Sequence, residues 1–152
     1  MRNVEIKARV DDVKRICELA EELSGGTFKL IEQDDTFYNV PNGRLKLRIF
    51  EDSSATLVRY ERKDEGGPKM CDYDLLEFSS NEKEKSIKLD KMLKLCLGER
   101  GRVVKKRKLY MVGQTRIHID TVKGLGDFME LEVVLRPEQT RTRKKARKLL
   151  KI

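Results

Sequence analysis

Five short segments spread along the chain alternate charged with aliphatic residues. In VEIKARV, residues 4–10, every second residue is aliphatic, and Glu, Lys and Arg lie between them. A period of two is typical of β-strands, whose successive side chains point to opposite faces. The chain is therefore predicted to build a sheet with one charged and one aliphatic face. The other four segments are GRLKLR, RVVKKRKLY, TRIHID and DFMELEVVL.

Two of the charged faces carry a single sign. Arg44, Lys46 and Arg48 share one strand face, whereas Glu130 and Glu132 share another. Like charges two residues apart repel each other unless a counter-ion lies between them. A solvated outer face is the ordinary alternative, since antiparallel sheets often expose one polar side. The single-sign clusters favour an enclosed face instead, with cations for a polyanion and carboxylates for a hard metal ion.

The aliphatic faces need partners, and helices can supply them. Apolar residues at helical spacing follow the start signal Asp11-Asp12 and predict a first helix that ends near Ser24. A second helix is predicted over 81–97, and Pro137 is well placed to open a third. If helices cover the aliphatic faces from outside, the charged faces point inward.

Strand-like segments separated by turn signals occupy most of the remaining chain. Short strands joined by tight turns usually pair antiparallel, and this many commonly close into a barrel. The predicted fold class is α+β, a closed antiparallel β-barrel, or tunnel, of about eight strands with flanking helices. No linker divides the sequence, so residues 1–152 are predicted to form one domain. The predicted strand segments are 4–10, 28–32, 35–40, 44–50, 55–62, 72–78, 102–108, 115–121 and 127–135.

The formal net charge of +8 is concentrated near the C-terminus. Residues 136–152 contain eight Lys or Arg and one Glu, so they account for +7 and leave +1 for residues 1–135. This segment is predicted to be a basic helix or tail. Such a segment can contact nucleic acid non-specifically, although a solvated helix is the simpler interpretation.

Cysteine usage and hydropathy favour a cytoplasmic protein. The three cysteines are far apart and odd in number, which is typical of reduced thiols rather than of a disulfide framework. No apolar run approaches the roughly 18 residues that a membrane-spanning helix needs. The segment MRNVEIKARV lacks the apolar core of a signal peptide.

The order of the motifs along the chain resembles that of a known family. VEIKARV, GRLKLR, YERKDEGGPK, KKRKLY with VGQTRIHID, and KGLGDFMELEVVL follow one another as in the CYTH, or triphosphate tunnel metalloenzyme, superfamily. That group includes class IV adenylyl cyclases, thiamine triphosphatases and inorganic tripolyphosphatases. The resemblance runs from about residue 3 to residue 135. It implies a closed tunnel in which basic residues bind a triphosphate and acidic residues hold a divalent metal.

The resemblance also implies roles for individual residues. Glu5 and Lys7 match the last two positions of the family's Glu-x-Glu-x-Lys signature, whereas Asn3 replaces its first glutamate. Asparagine adds no charge, which leaves the number of metals open. The implied catalytic residues are Glu5, Lys7 and Asp120, and the implied metal ligands are Glu5, Asp120, Glu130 and Glu132. The implied triphosphate-binding residues are Lys7, Lys46, Arg48, Arg62, Lys105, Arg107 and Arg116.

Three further residues are not assigned to the site. Arg59 and Arg62 lie on opposite faces of one strand, and the motif favours Arg62 as the inward residue. A filler or hydrogen-bonding role is preferred for His118 over that of a general base. Cys71 has no neighbouring motif residue arranged to activate it and is expected to be inert.

These assignments predict metal-dependent hydrolysis of a triphosphate, most simply inorganic tripolyphosphate, with Mg²⁺ or Mn²⁺ as cofactor. Cyclisation of ATP to cyclic AMP and hydrolysis of thiamine triphosphate are open alternatives, although the lack of Trp disfavours stacking on a thiamine ring. A noncatalytic polyphosphate- or RNA-binding module is the alternative outside the enzymes. The expected partner is a small triphosphate or polyphosphate, and the protein is expected to be a monomer or a homodimer.

Overall fold

The computed structural model describes residues 1–62 and 66–137. Eight antiparallel strands in these ranges form a closed barrel. The strands are Arg2–Arg9 (β1), Lys29–Tyr38 (β2), Arg44–Phe50 (β3), Ala55–Arg62 (β4), Lys69–Phe78 (β5), Glu99–Val112 (β6), Thr115–Val122 (β7) and Gly126–Val134 (β8). Their order around the barrel is β1-β5-β4-β3-β2-β6-β7-β8, and β1 closes the ring by pairing with both β5 and β8. The predicted α+β barrel is confirmed.

Two α-helices flank the barrel within the described residues. The first, α1, spans Val13–Ser24, and the side chain of Asp12 caps it by accepting a hydrogen bond from the backbone N–H of Arg15 at 3.1 Å. The helix ends at Gly25, whose φ of 84° is a left-handed conformation that glycine adopts without strain. The second, α2, spans Lys83–Leu97 after a single 3₁₀ turn.

Both helices pack on aliphatic strand faces. Ala20 of α1 lies in a buried cluster with Tyr110 of β6 and with residues of β7. Leu89 and Leu93 of α2 belong to a second cluster around Leu47 of β3. Because the helices take the aliphatic faces, the charged faces of the same strands are left to line the interior of the barrel.

Strand β2 is longer than predicted. The segments 28–32 and 35–40 form one continuous strand, because Gln33 and Asp34 continue the ladder with β6. The polar run that separates the two predicted segments is compatible with a strand here, since the inner face of this barrel is itself polar.

Two predictions fall wholly or partly outside the described ranges. The basic helix or tail over 136–152 lies beyond them apart from its first two residues, and the assignment of residues 1–152 to one domain stays a prediction. Within the described ranges, no helix combines the length and the hydropathy needed to cross a bilayer.

Candidate functional site

Ionisable side chains line the interior of the barrel. Six of them among the described residues are at most 8% exposed, although an isolated charge is costly to bury. Each of the six lies within 4.0 Å of a group that can carry the opposite charge, and such pairing is what makes the burial tolerable. The six residues are Asp35, Lys105, Arg107, His118, Asp120 and Glu130.

The adjacent strands β1 and β8 carry three carboxylates that converge inside the barrel. Glu5 lies opposite Glu132 in the register of these strands, and Glu130 is two positions away along β8. One carboxylate oxygen from each residue lies within 4.8 Å of the other two. We call Glu5, Glu130 and Glu132 the acidic wall.

Burial and neighbouring charges act differently on the two glutamates of β8. Burial raises the pKa of Glu132, and the attraction of His118 opposes this only in part. Burial would also raise the pKa of Glu130, but His118, Arg107 and Lys7 outweigh it and hold that pKa well below its usual range. Glu130 is therefore ionised at neutral pH, as a carboxylate ligand of a metal must be.

The acidic wall has the chemistry of a divalent cation site. Carboxylate oxygens are the donors that hard cations such as Mg²⁺ and Mn²⁺ prefer. Beside them, Nδ2 of Asn3 donates a hydrogen bond to Oε2 of Glu132 at 3.0 Å. The buried Oδ1 of Asn3 accepts no hydrogen bond within the described parts of the chain. This oxygen is available to a cation, or to a water molecule next to one.

Basic residues lie on the strands half-way round the ring from the acidic wall. Strands β2 and β3 occupy that position in the strand order, and β6 adjoins β2. Lys46 and Arg48 belong to β3, and Lys105 belongs to β6. Their side chains are 15%, 16% and 7% exposed. We call Lys46, Arg48 and Lys105 the basic wall.

Asp35, on β2, is the counter-charge of the basic wall. Arg48 donates from Nε and Nη2 to its two carboxylate oxygens, both at 2.7 Å, and Nζ of Lys46 donates to Oδ2 at 3.2 Å. Burial alone would raise the pKa of Asp35, but these cations hold it far below its usual range. Burial, with the repulsion of Arg48, lowers the pKa of Lys46 to about 8. Burial, with the repulsion of Arg107 and Arg48, lowers the pKa of Lys105 to about 7.

A second buried ion pair joins β6 to β7. Arg107 donates from Nε and Nη2 to the two oxygens of Asp120, at 2.7 and 2.8 Å. Nζ of Lys105 lies 3.8 Å from the same carboxylate. Although burial opposes ionisation, Arg107 keeps the pKa of Asp120 below its usual value. Both oxygens of Asp120 are thus engaged by Arg107.

Two arginines donate hydrogen bonds to the acidic wall. Nη1 of Arg62 lies 2.8 Å from Oε1 of Glu5, and Nη1 of Arg116 lies 3.3 Å from Oε1 of Glu132. The pKa of Arg62 is raised, because the bond from its guanidinium to Glu5 outweighs the effect of burial. The carboxylates that suit a cation are therefore already paired with protein cations in the free protein.

Each of the seven cations predicted to bind triphosphate contacts an interior carboxylate. The last of them, Lys7, has its Nζ 3.7 Å from Oε2 of Glu130. The side chains of Lys7 and Arg116 are each 45% exposed, so they lie where the interior meets solvent. The acidic wall contains three of the four predicted metal ligands. The fourth, Asp120, pairs with Arg107 instead, and its role as a metal ligand stays a prediction.

Sequence reasoning missed Asp35. The polar pair Gln33-Asp34 suggests a break between two strands, which puts Asp35 at the first position of the second predicted segment. The signal that could have found Asp35 is the period of two along β2, which places it on one face with Gln33 and Phe37. Asp35 also lies directly opposite Arg48 in the β2–β3 register, and opposite charges favour such cross-strand positions.

The residues left outside the predicted site lie as follows. His118 is buried next to the acidic wall, with Nδ1 3.4 Å from Oε1 of Glu130. Cys71 is buried too, and burial raises the pKa of its thiol to about 12, so little thiolate forms at neutral pH. Arg59 is half-exposed and pairs with the exposed Asp74 on the outer surface.

Comparisons with known proteins agree with the barrel. A protein of Methanocaldococcus jannaschii named "Putative adenylate cyclase MJ0240" is 30% identical over 141 residues, which cover 87% of this chain and 77% of that protein. The solved structure of PH1012 protein from Pyrococcus horikoshii OT3 superposes with a TM-score of 0.73 at 24% identity, covering 97% of this chain and 85% of that one. The Pct1 RNA triphosphatase of Schizosaccharomyces pombe superposes with a TM-score of 0.54 at 14% identity, covering 90% and 55%.

The family match extends along the whole sequence. It is to the CYTH domain, over residues 1–152. Members of this family are triphosphate-processing enzymes, among them cyclases and triphosphatases, and its tunnel enzymes depend on divalent metal. With its closed eight-stranded barrel and its match along the full length, this chain belongs to the CYTH domain family.

Proposed function

We propose that this protein hydrolyses a linear triphosphate inside the barrel, with inorganic tripolyphosphate as the simplest substrate and Mg²⁺ or Mn²⁺ as cofactor. The observation that supports this most is the position of the basic wall across the interior from the acidic wall. A polyphosphate chain needs cations along its length, and a divalent metal that would help to neutralise it needs carboxylate ligands. The two walls offer both in one enclosed space.

The basic wall and Arg107 would bind the phosphates. Guanidinium and ammonium groups form charge-assisted hydrogen bonds with phosphate oxygens, and a guanidinium can bind two oxygens at once. Arg48 and Arg107 are each held by a buried aspartate, Asp35 and Asp120 respectively. Their positions are therefore set before the substrate arrives, which lowers the cost of reorganisation during the reaction.

The acidic wall would hold the divalent cation, with Asn3 as a neighbouring oxygen donor. A divalent cation there would neutralise negative charge on the phosphoryl group as it is transferred. Asp120 is a further ligand by resemblance, although both of its oxygens already accept hydrogen bonds from Arg107.

Triphosphate and metal are expected to assist each other's binding. In the free protein Arg62 is bonded to Glu5, and Arg116 to Glu132, so neither partner is fully available to a ligand. A phosphate chain attracts the arginines, and a divalent cation attracts the carboxylates. Each ligand thus releases the residues that the other one needs, which is a favourable coupling between the two.

Hydrolysis in this site needs no covalent nucleophile. Phosphoryl transfer depends mainly on alignment and on neutralisation of charge. The carboxylates of the acidic wall can orient an attacking water molecule by accepting its hydrogens. The cations of the basic wall bind the phosphate that leaves. The proposal thus assigns phosphate binding, metal binding, orientation of the water molecule and binding of the leaving phosphate to side chains of the interior.

The direct test is release of orthophosphate from tripolyphosphate by the purified protein with Mg²⁺ or Mn²⁺. We expect many turnovers with metal and none with a chelator. Lys46→Ala should lower kcat/KM by at least about tenfold, because it removes a cation of the basic wall. Lys106→Ala, which changes a lysine paired with Glu32 outside the barrel, is the matched control. No phosphate release with either metal, or a fully active Lys46→Ala variant, would contradict the proposal.

Cyclisation of ATP is the second candidate, favoured by the name of the relative from Methanocaldococcus jannaschii. A cyclase would bind the phosphates in the same way but would also need a pocket for the nucleoside. Incubation with ATP followed by chromatography separates the two reactions. Cyclic AMP and pyrophosphate indicate a cyclase, whereas ADP and orthophosphate indicate a hydrolase. Binding of polyphosphate without turnover, with any metal, would indicate the noncatalytic alternative.

The pH dependence of kcat/KM should show the titration of Lys46. Because its pKa is about 8, the free protein loses this positive charge as the pH rises through that value. The charged form binds phosphate, so kcat/KM for tripolyphosphate is expected to fall on the alkaline side with an apparent pKa near 8. Lys105, with a pKa of about 7, contributes an earlier decline.

Lys46→Arg is the matched variant for this prediction. Arginine stays charged throughout the range, so the decline near pH 8 should disappear while the earlier one persists. The measurement is kcat/KM against pH at a constant concentration of free metal ion. Identical profiles for the variant and the wild type would show that another group titrates.

A further inference from the structure

We propose that Asp35 is a positioning residue that orients Lys46 and Arg48 of the basic wall. As the internal counter-anion of these two cations, Asp35 also weakens the binding of short phosphate anions relative to that of a triphosphate. This inference rests on the proposed function of the barrel as a triphosphate site. It assigns a role in selectivity to a residue that makes no contact with the acidic wall in the described structure.

Both carboxylate oxygens of Asp35 accept hydrogen bonds from the basic wall. Arg48 takes both oxygens with two hydrogen bonds of 2.7 Å, and Lys46 adds a third of 3.2 Å. The side chain of Asp35 is 1% exposed. A guanidinium held by two parallel bonds has a fixed plane and direction. Asp35 therefore determines where the remaining nitrogen of Arg48 points, and Nη1 makes no hydrogen bond within the described residues.

The charge of Asp35 also sets how strongly the basic wall attracts anions. Lys46 and Arg48 carry two positive charges when both are protonated, and Asp35 cancels one of them. A single phosphate that approaches this pair must share the cations with a carboxylate already bonded to them. A triphosphate is less affected, because its further phosphates can reach Lys105 and Arg107 as well. Asp35 thus lowers the affinity for a short phosphate anion by a larger factor than the affinity for a triphosphate.

Asp34 provides a matched control next to Asp35 in the sequence. It points to the outer face of β2 and pairs with Arg102 of β6, whose side chain is 60% exposed. Both residues are aspartates on one strand bonded to an arginine of a neighbouring strand. Asp34 faces the outside of the barrel, whereas Asp35 faces its interior. Comparing a variant at each position therefore separates an effect on the basic wall from a general effect on the stability of β2.

The test compares Asp35→Asn with Asp34→Asn and the wild type, without metal. We expect Asp35→Asn to bind pyrophosphate about tenfold more tightly by calorimetry, since the competing carboxylate is gone. Its Tm without ligand should fall, and pyrophosphate should raise that Tm by more than it raises the Tm of the wild type, because the anion replaces the missing charge. Asp34→Asn should match the wild type in both measurements.

Kinetics with tripolyphosphate and metal give a second readout. In Asp35→Asn, kcat should fall while KM stays equal or falls, because binding is retained and the orientation of Arg48 is lost. Inhibition by pyrophosphate should become stronger by a similar factor to its binding. Arg48→Lys keeps the charge but loses the two parallel bonds to Asp35. It should lower kcat without any tighter binding of pyrophosphate.

Two results would overturn the inference. Pyrophosphate that binds Asp35→Asn no more tightly than the wild type, with no extra rise in Tm, would show that Asp35 only stabilises the fold. If Asp35→Asn fails to fold, Arg48→Lys decides, and unchanged kcat in that variant would reject the orienting role. The metal-free binding data do not depend on turnover. A protein that hydrolyses no triphosphate would therefore contradict the proposed function and still leave Asp35 tested.

Discussion

Replacing Glu130 with glutamine is expected to lower kcat for tripolyphosphate by about a hundredfold to a thousandfold. Glu130 is 8% exposed, is ionised at neutral pH and contacts both Lys7 and His118. Glutamine has nearly the same shape but no charge, so it weakens metal binding and leaves Lys7 without its partner.

The measurement is steady-state phosphate release, together with Mn²⁺ binding followed by electron paramagnetic resonance. Mn²⁺ affinity of Glu130→Gln should fall in parallel with kcat, because a three-carboxylate site becomes a two-carboxylate site. Asp74→Asn, at an exposed outer carboxylate, is the control and should leave both quantities unchanged. Wild-type activity in Glu130→Gln would remove the acidic wall from the reaction.

The second large effect concerns stability. Asp120→Ala should lower the free energy of unfolding by about 3–5 kcal/mol, because it leaves Arg107 as a buried charge without its partner. Arg107 is 6% exposed and Asp120 is 0% exposed, so the two hydrogen bonds between them lie away from bulk water. Nζ of Lys105, 3.8 Å from the same carboxylate, also loses an attractive charge. Urea denaturation followed by circular dichroism measures the change.

A double variant tests the cause of that loss. Asp120→Leu combined with Arg107→Met removes both charges and should regain most of the stability, since replacing a whole buried pair by apolar residues is often close to neutral. Asp74→Ala, which breaks the exposed pair with Arg59, should have a much smaller effect because solvent screens both charges. Equal losses from the buried and the exposed pair would contradict the assigned role of burial.

Much of the barrel was predictable because the relevant signals are local. The alternation in VEIKARV and GRLKLR predicts strands with one charged face, and the Asp12 cap and Gly25 mark the ends of α1. The direction of the charged faces followed from one physical argument. Helices with apolar stripes take the aliphatic faces, so the charged faces must point inward, and this is how the chain is folded.

Other features of the interior depended on how the strands pair, which the alternation along a single strand does not give. The convergence of Glu5 with Glu130 and Glu132 requires that the first strand pair with the last one. The pairing of Asp35 with Arg48 depends on the register of β2 with β3, and a shift of one residue would turn Asp35 outward.

The sequence alone predicted the sign and the spacing of the charges on each strand face, because side-chain direction in a strand alternates with a period of two. Which charges of the first and last strands meet was settled only by closure of the ring. Closure places β2 and β3 across from β1 and β8, and it brings Glu5 of the first strand opposite Glu132 of the last. These outcomes follow from registers between strands far apart in the chain, and no local pattern encodes them.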